Sequence, residues 1–218
     1  MDLVTLFTAF GILFLGELGD KTQLIVFNLT LEYEKPWKVG VGATLGFGII
    51  VTIGVLLGAI IIDLIPLFLI SLIGGIIFVI IGILDARHLK KLWNDNRGIN
   101  TETLSLNDPE NENDVKKKDI TSKLSKLKNN PILAGFLFIF LMELGDKTQI
   151  LTITLASTTP AIIEIWLGSF LALSLLAWMG VFFGEIITKK LPKFYLKVIS
   201  VSLFVFIGIL LIITSLLS

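Results

Sequence analysis

The sequence predicts an all-α integral membrane protein in which six transmembrane helices form two inverted three-helix repeats. Charged residues make up only 17% of the chain and its mean hydropathy is +0.89, whereas roughly a quarter of the residues in soluble domains are charged. Several apolar stretches are long enough to cross a bilayer, and the second half of the chain resembles the first at one constant offset. Together these observations predict a membrane protein built from two like halves.

Six apolar stretches define the predicted spans. A helix needs about 20 residues to cross a hydrocarbon layer of ~30 Å, whereas a membrane β-barrel would show short alternating segments. Helices are therefore predicted, because their backbone polar groups pair within each segment. The predicted spans cover residues 3–31, 38–62, 67–88, 131–157, 162–187 and 194–216.

The basic residues indicate how the chain is oriented. Of its 18 Lys and Arg residues, all but Lys21 and Lys147 lie in three alternate connections or at the helix ends beside them. The other connections, at residues 63–66 and 157–164, contain none. The positive-inside rule therefore predicts that the basic connections are cytoplasmic and that both termini lie outside, in a multi-pass protein of the plasma or inner membrane.

Three units are expected along the chain: repeat 1 at residues 1–92, a flexible cytoplasmic linker at 93–130, and repeat 2 at 131–218. The linker contains the stretch NDPENENDVKKKD, which has too few apolar residues to build a core. Its end, ITSKLSKLK, also fits an amphipathic helix lying on anionic lipid. Both interpretations of this last stretch stay open.

The repeat has an offset of 126 residues and continues without a gap. It aligns Glu17 with Glu143, and it aligns FVIIGIL at 78–84 with FVFIGIL at 204–210. About 27 of some 90 aligned positions are identical, which is too many at one offset for shared hydrophobicity alone. Because each repeat holds three spans, the second copy enters the membrane from the opposite side. Such inverted repeats recur in secondary transporters, where the site lies near the midplane between the halves.

Each repeat carries the same charged segment, ELGDKTQ, in the middle of its first span, at residues 17–23 and 143–149. Glu17, Asp20 and Lys21 are three or four residues apart, so they point roughly the same way from a helix. A charge at the membrane centre costs about 2.5–3.5 kcal/mol on translocon scales, so such a residue is first considered functional. A structural ion pair that holds helices together is the alternative.

Two features favour an ion site over a structural ion pair. The two segments hold four carboxylates and two ammonium groups, which leaves about two negative charges for a divalent cation to balance. Carboxylate, hydroxyl and amide oxygens suit Ca²⁺ or Mn²⁺, and the chain has no Cys to attract softer metals. Gly19 and Gly145 weaken the helices, and the length of the first span predicts tilt or a break near Gly19.

Carboxyl groups can also bind protons. Competition between H⁺ and a divalent cation for one set of carboxylates is a sufficient mechanism for exchange. For strict exchange, the site must not switch its exposure from one side of the membrane to the other while it holds neither a cation nor a proton.

The doubled ELGDKT motif, at residues 17–22 and 143–148, resembles the E-x-G-D-[KR]-[ST] signature of the GDT-type Ca²⁺/Mn²⁺:H⁺ exchanger family. The resemblance covers both repeats and the charged central connection, and it implies antiport of divalent cations and protons. It also implies that the cation path is formed by Glu17, Asp20, Glu143 and Asp146, with Lys21, Thr22, Lys147 and Thr148 in support. Gln23, Gln149, Gly19 and Gly145 join the supporting set through their oxygen donors and their place in the segments.

Two other functions fit the same residues less well than antiport does. A passive divalent cation channel would use the same acids, although a two-fold repeat around a buried site favours alternating access. An intramembrane aspartyl protease could pair Asp20 with Asp146, but the Lys beside each Asp and the two like halves are atypical of those enzymes. We therefore expect a transporter and no enzyme. Its partners would be divalent cations, protons and the lipid bilayer, with no cofactor and no nucleic acid.

The sequence leaves several properties open. It does not distinguish Ca²⁺ from Mn²⁺, and it fixes neither the proton stoichiometry nor the direction of transport. The oligomeric state and the role of Glu185, whose repeat counterpart is Ala59, are equally undetermined.

Overall fold

The structure, a computed structural model, describes residues 2–18, 20–97, 130–190 and 193–217. Within these ranges, the side chains of residues 21, 24, 32, 85, 87–97, 183–190 and 193–197 lie outside the description. The described ranges are helical apart from short connections. The helices are α1 (Leu3–Glu17), α2 (Lys21–Glu32), α3 (Pro36–Leu64), α4 (Leu67–Arg97), α5 (Pro131–Glu143), α6 (Lys147–Thr158), α7 (Ile162–Lys190) and α8 (Lys193–Leu217).

Local sequence explains where several helices begin. Asp2 caps α1 by accepting a hydrogen bond from the backbone N–H of Val4, and Asn130 caps α5 in the same way from Leu133. Pro36 and Pro131 stand in the first turns of α3 and α5, where the missing N–H of proline costs nothing. The chain therefore enters these helices with its first backbone donors satisfied or absent.

Four helices confirm predicted spans. The stretches Pro36–Leu64, Leu67–Leu84, Ile162–Phe182 and Val198–Leu217 are long and apolar enough to cross a membrane. Their backbones follow the second, third, fifth and sixth predicted spans, although α4 continues to Arg97, past the predicted end at residue 88. With these apolar helices the chain is a membrane protein.

The first and fourth predicted spans are not continuous helices. The chain leaves the helical conformation at Leu18 and again at Leu144, so that residues 3–31 and 131–157 are each divided between two helices. Each half has 12 to 15 residues, which is too short to cross the hydrocarbon layer alone. Of the tilt or break expected near Gly19, the structure has the break: α1 ends at Glu17 and α2 begins at Lys21. Gly19 itself lies outside the described residues.

The second break contains a left-handed glycine. Gly145 has φ +83°, a conformation that costs side-chain-bearing L-residues about 1–2 kcal/mol. After this turn, Asp146 caps α6 by accepting a hydrogen bond from the backbone N–H of Lys147. Glycine and aspartate in the motif therefore stop one helix and start the next.

The contact between α3 and α5 recurs between α7 and α1 at the sequence offset of 126. A Cβ atom added to Gly42 on α3 would lie 2.1 Å from the Ile132 carbonyl oxygen on α5. A Cβ atom added to Gly168 on α7 would lie 2.4 Å from the Leu6 carbonyl oxygen on α1. Each long helix therefore approaches the broken helix of the other half through a glycine at the equivalent position.

Contacts between helices show which helix ends lie together at each end of the bundle. At the first end, the backbone N–H of Asp2 donates to Glu164 Oε1 at 3.1 Å, and Ser215 Oγ donates to the Phe68 carbonyl oxygen. This first end holds the beginnings of α1, α4 and α7 and the ends of α3, α6 and α8. The second end holds the end of α2 and the beginnings of α3 and α5. The two breaks lie between these ends.

Candidate functional site

The two helix breaks bring a pair of glutamates into the middle of the bundle. Glu17 is the last residue of α1 and Glu143 is the last residue of α5. Their side chains are 5% and 1% exposed, although acids are rarely buried without partners. The helix breaks therefore place the repeated glutamates at equivalent, water-poor positions.

Two threonine hydroxyls connect these glutamates across the halves. Thr22 Oγ1, on α2, donates to Glu143 Oε1 at 2.5 Å. Thr148 Oγ1, on α6, lies 2.8 Å from Glu17 Oε1 and 2.8 Å from Glu143 Oε2. Each threonine thus contacts the glutamate of the other repeat, and Thr148 bridges both.

The bridge at Thr148 limits the protonation of the pair. A hydroxyl group has one hydrogen and can donate to only one carboxyl group at a time. The second contact at 2.8 Å then needs a hydrogen on the other carboxyl group, which donates to Thr148 Oγ1. The geometry fits one proton held between Glu17 and Glu143, in addition to the hydrogens of the two threonines.

Asp20 is paired with the lysine of the opposite segment. Lys147 Nζ lies 2.6 Å from Asp20 Oδ2, and it also donates to the Gly16 carbonyl oxygen at 3.4 Å. Only 12% of the Lys147 side chain and 19% of the Asp20 side chain are exposed. This ion pair joins the first helix break, between α1 and α2, to the start of α6. The equivalent side chain of Lys21 lies outside the described residues.

Asp146 occupies a different environment from its counterpart Asp20. It is exposed, and its carboxylate accepts a hydrogen bond at 2.8 Å from the backbone N–H of Lys147. Next to it, the Gln149 side-chain oxygen accepts a hydrogen bond at 2.7 Å from the backbone N–H of Gly145. Asp146 and Gln149 therefore stabilise the second break in this conformation.

A small cavity of about 10 Å³ lies beside Glu17, on the α2 side of the glutamate pair. This volume is close to the minimum that holds one water molecule. Thr22 and the buried Gln23 supply its other polar walls. Its apolar walls come from α2, α3 and α7, namely Val26, Phe47, Leu173, Leu176 and Ala177.

The four predicted carboxylates therefore fall into three environments. Glu17 and Glu143 form a buried pair, Asp20 is ion-paired and Asp146 is exposed. Among the described residues, no three Asp, Glu, His or Cys side chains are close enough together to hold a metal ion. The threonine hydroxyls add hard oxygen donors of the kind that divalent cations such as Ca²⁺ and Mn²⁺ prefer. The role of all four acids as cation ligands stays a prediction.

Comparison with known proteins decides the family. A family model described as divalent cation/proton antiporter GDT1 matches residues 5–91 and 131–218. The chain belongs to this family. The match covers both repeats and confirms the resemblance carried by the doubled motif. As a member of the GDT1 family, the chain is a transporter of divalent cations and protons and not an enzyme, which excludes the intramembrane protease interpretation.

Two curated relatives carry names that agree with the GDT1 family. The GDT1-like protein sll0615 of Synechocystis is 31% identical over 198 residues, which cover 88% of this chain and 88% of the relative. The GDT1-like protein C186.05c of Schizosaccharomyces pombe is 25% identical over 221 residues, covering 89% of this chain and 84% of the relative. No solved structure matches the chain.

Two residues that the motif analysis did not assign also contact the site of this GDT1 chain. Ser200 Oγ on α8 donates to the Leu15 carbonyl oxygen at 2.9 Å, at the last turn of α1. The ring of Phe204 lies 5.7 Å from Lys147 Nζ, measured to the ring centroid. The repeated FVIIGIL and FVFIGIL stretches begin at Phe78 and Phe204, so the sequence held a signal for the aromatic residue and none for Ser200.

Proposed function

We propose that this protein exchanges Mn²⁺ or Ca²⁺ for protons across the membrane by alternating access. The observation that carries the proposal is the buried pair Glu17 and Glu143, one from each repeat, bridged by the Thr148 hydroxyl. Two carboxyl groups, one from each half, meet at the helix breaks. They form a site that can be opened to one end of the bundle and then to the other. A proton and a divalent cation compete for this site.

The exchange follows from the charge of the site. A metal ion binds carboxylates in their deprotonated form, so its arrival releases the proton held between the two glutamates. We propose Glu17, Asp20, Glu143 and Asp146 as the cation ligands. The Thr22 and Thr148 hydroxyls and the amide oxygen of Gln23 supply further hard donors. Asp20 and Asp146 reach the ion only after their present partners, Lys147 and the start of α6, release them.

We propose six membrane crossings in two inverted repeats, an arrangement that would expose one site to both sides. We count each broken helix pair, α1 with α2 and α5 with α6, as one crossing, because the two helices together exceed the ~20 residues that a crossing needs. Discontinuous helices that meet near the midplane are typical of ion sites in transporters with inverted repeats. We keep the unit boundaries at residues 92 and 130 as part of the proposal, with α4 continuing past the first of them to Arg97. Residues 98–129 of the linker lie outside the described residues.

Charged residues at the helix ends support opposite orientations of the repeats. Acids at the first end have lysines at the equivalent positions of the other repeat. The pairs are Asp2 with Lys128, Asp63 with Lys189, and Glu164 with Lys38. Since basic residues concentrate on the cytoplasmic side, we propose that the first end and both termini face outward in the plasma or inner membrane.

Transport into liposomes tests the proposal. Purified protein is reconstituted, a pH gradient is imposed, and uptake of Ca²⁺ or Mn²⁺ is followed together with proton counterflow. Wild type is compared with Glu17→Gln and Glu143→Gln, and Glu34→Gln, at an exposed position away from the site, serves as the matched control. Gradient-driven uptake that is lost in the two site variants and kept in the control is expected.

Two results would contradict the proposal. Cation flux that does not depend on the pH gradient would identify a passive channel. Gradient-driven flux that is unchanged in both glutamine variants would remove Glu17 and Glu143 from the cation path.

A further inference from the structure

Helices α4 and α8 form a close pair that is related by the sequence offset. A Cβ atom added to Gly82 would lie 2.6 Å from a side-chain carbon of Val205, and one added to Gly208 would lie 2.8 Å from the equivalent carbon of Val79. The glycines let the two backbones approach closely, as in other membrane helix pairs. Because these contacts follow the repeat, α4 and α8 can behave as one unit, called here the α4–α8 pair.

The α4–α8 pair contacts the rest of the bundle unequally. On α8, Ser200 Oγ donates to the Leu15 carbonyl oxygen, and Phe204 lies against Gly16, both on α1. On α4, a Cβ atom added to Gly74 would lie 2.7 Å from Thr154 Cγ2 on α6. Both α1 and α6 belong to the first end of the bundle.

The repeat predicts equivalent contacts at the second end, and the described part of the structure lacks them. The counterpart of the contact between Gly16 and Phe204 would join Met142 to Phe78. The counterpart of the contact between Gly74 and Thr154 would join Ser200 to Asn28. Yet the described residues show no contact between α4 and α5, and none between α2 and α8. As far as the described residues go, the α4–α8 pair has therefore docked on one half of the site only.

The buried clusters show the same inequality. One cluster joins Leu13 of α1 and Leu151 of α6 to Phe78 and Phe204 of the α4–α8 pair. The buried residues of the cluster at the second end, such as Leu29, come from α2, α3 and α5. Among the described side chains, the α4–α8 pair thus contributes apolar packing to the first end and not to the cluster at the second end.

Exposure of the helix breaks agrees with this difference. Leu144 is 52% exposed and Asp146 is exposed, whereas Leu18 packs against the core and Asp20 is 19% exposed. An acid at this depth needs water, because a charge in hydrocarbon is costly. We therefore expect water to reach the second break, and α5, which leads into it, contacts neither α4 nor α8 among the described residues.

We propose that the α4–α8 pair is the gate of the exchanger and that Ser200 and Phe204 are the positioning residues that dock it at the first end. This inference rests on the proposed exchange by alternating access. In the opposite state, the pair docks on α2 and α5 through Gly74 and Phe78, the repeat counterparts of these two residues. The site then opens at the first end.

Phe204 connects the docked gate to the charges of the site. Its ring lies against Gly16 and 5.7 Å from Lys147 Nζ, while Lys147 holds Asp20 at 2.6 Å. A cation over an aromatic face is attracted by the negative face of the ring, and more strongly where water is excluded. Departure of α8 removes this contact and opens the ion pair to water, so Asp20 becomes available to a cation at the side that has just opened.

Disulfide trapping tests the gate, and the chain offers a background without cysteines. The first pair is Gly74→Cys with Thr154→Cys, because a Cβ at residue 74 would lie 3.8 Å from Thr154 Cβ, the usual spacing in a disulfide. The second pair is its repeat counterpart, Asn28→Cys with Ser200→Cys, on two helices that do not touch in the described structure. Cross-linking and gradient-driven cation uptake are measured for each pair, before and after reduction.

Both pairs are expected to cross-link, each cross-link is expected to abolish uptake, and reduction is expected to restore it. The reduced form of each double variant is its own folding control, and the second pair does not depend on the crowded position 74. Continued uptake by protein cross-linked at 74 and 154 would overturn the proposal, as would a pair at 28 and 200 that never cross-links during turnover. Absence of uptake by the unmodified protein would instead refute the proposed exchange.

Discussion

The hydroxyl of Thr22 donates to Glu143 Oε1 across the interface between the two halves of the protein, at 2.5 Å. Thr148 completes the exchange of contacts by reaching Glu17 Oε1 at 2.8 Å. Each repeat thus supplies the hydroxyl that holds the glutamate of the other. One repeat alone cannot assemble this site.

Replacing Thr148 by valine is expected to impair exchange. Valine matches threonine in shape but cannot bridge Glu17 and Glu143. Valine also lacks the hydroxyl oxygen that we propose as a cation ligand, so the apparent cation affinity should fall, and a ligand worth about 1.4 kcal/mol corresponds to a tenfold loss. Uptake measured against cation concentration checks this. Thr148→Ser keeps the hydroxyl and should retain affinity. Thr158→Val, whose hydroxyl bonds only to its own helix, should behave as wild type.

Replacing Lys147 by methionine is expected to destabilise the protein. The change takes the ammonium group of Lys147 away from the carboxylate of Asp20, which lies 2.6 Å from it. Loss of one member of a fully buried pair costs about 3–5 kcal/mol, and this pair is 12% and 19% exposed, so a smaller loss is expected. The midpoint of heat unfolding in detergent should fall, and the double variant with Asp20→Asn should recover part of the loss. Lys35→Met, at an exposed connection, is the control. Equal midpoints for Lys147→Met and wild type would show that the ion pair does not support the fold.

Gly145→Ala should weaken the second helix break, and Gly11→Ala is the matched control. A Cβ atom meets nothing within 4 Å at either position, so space is not the limit. At Gly145 the positive φ of 83° makes alanine strained by about 1–2 kcal/mol. Gly11 is inside α1, where alanine is favoured over glycine by about 0.5–1 kcal/mol. Unfolding midpoints in detergent should therefore move in opposite directions, and a shared direction would argue against the strained turn.

Gly42→Ala should separate α3 from α5. The added carbon would lie 2.1 Å from the Ile132 carbonyl oxygen, and a backbone atom cannot rotate away as a side chain can. We expect a loss of stability at the upper part of the ~1–3 kcal/mol range seen for overpacked cores, or more. Gly48→Ala on the same helix meets only the Phe170 ring, at 3.3 Å, and should cost less. Comparable losses in both variants, measured as yield of folded protein and heat stability, would contradict this packing.

Much of the architecture could be predicted because it depends on composition and local pattern. Apolar length predicted the four long spans, and the length of the first span predicted tilt or a break near residue 19, of which the structure has the break. The break in the fourth span was not stated in advance, although Gly145 carries the same signal. The doubled motif also identified the family, since its residue types and its place in each repeat are both restrictive.

The sequence by itself determined which residues stand at equivalent positions, because a repeat with a constant offset assigns a counterpart to each one. It could not determine which counterparts are in equal environments. Only the tertiary structure decided that Glu17 and Glu143 share one hydroxyl while Asp20 is ion-paired and Asp146 is exposed. The reason is physical: among the described residues α8 packs on α1 and α4 packs on α6 without equivalent contacts to α5 and α2, and packing between distant helices leaves no trace in local sequence pattern.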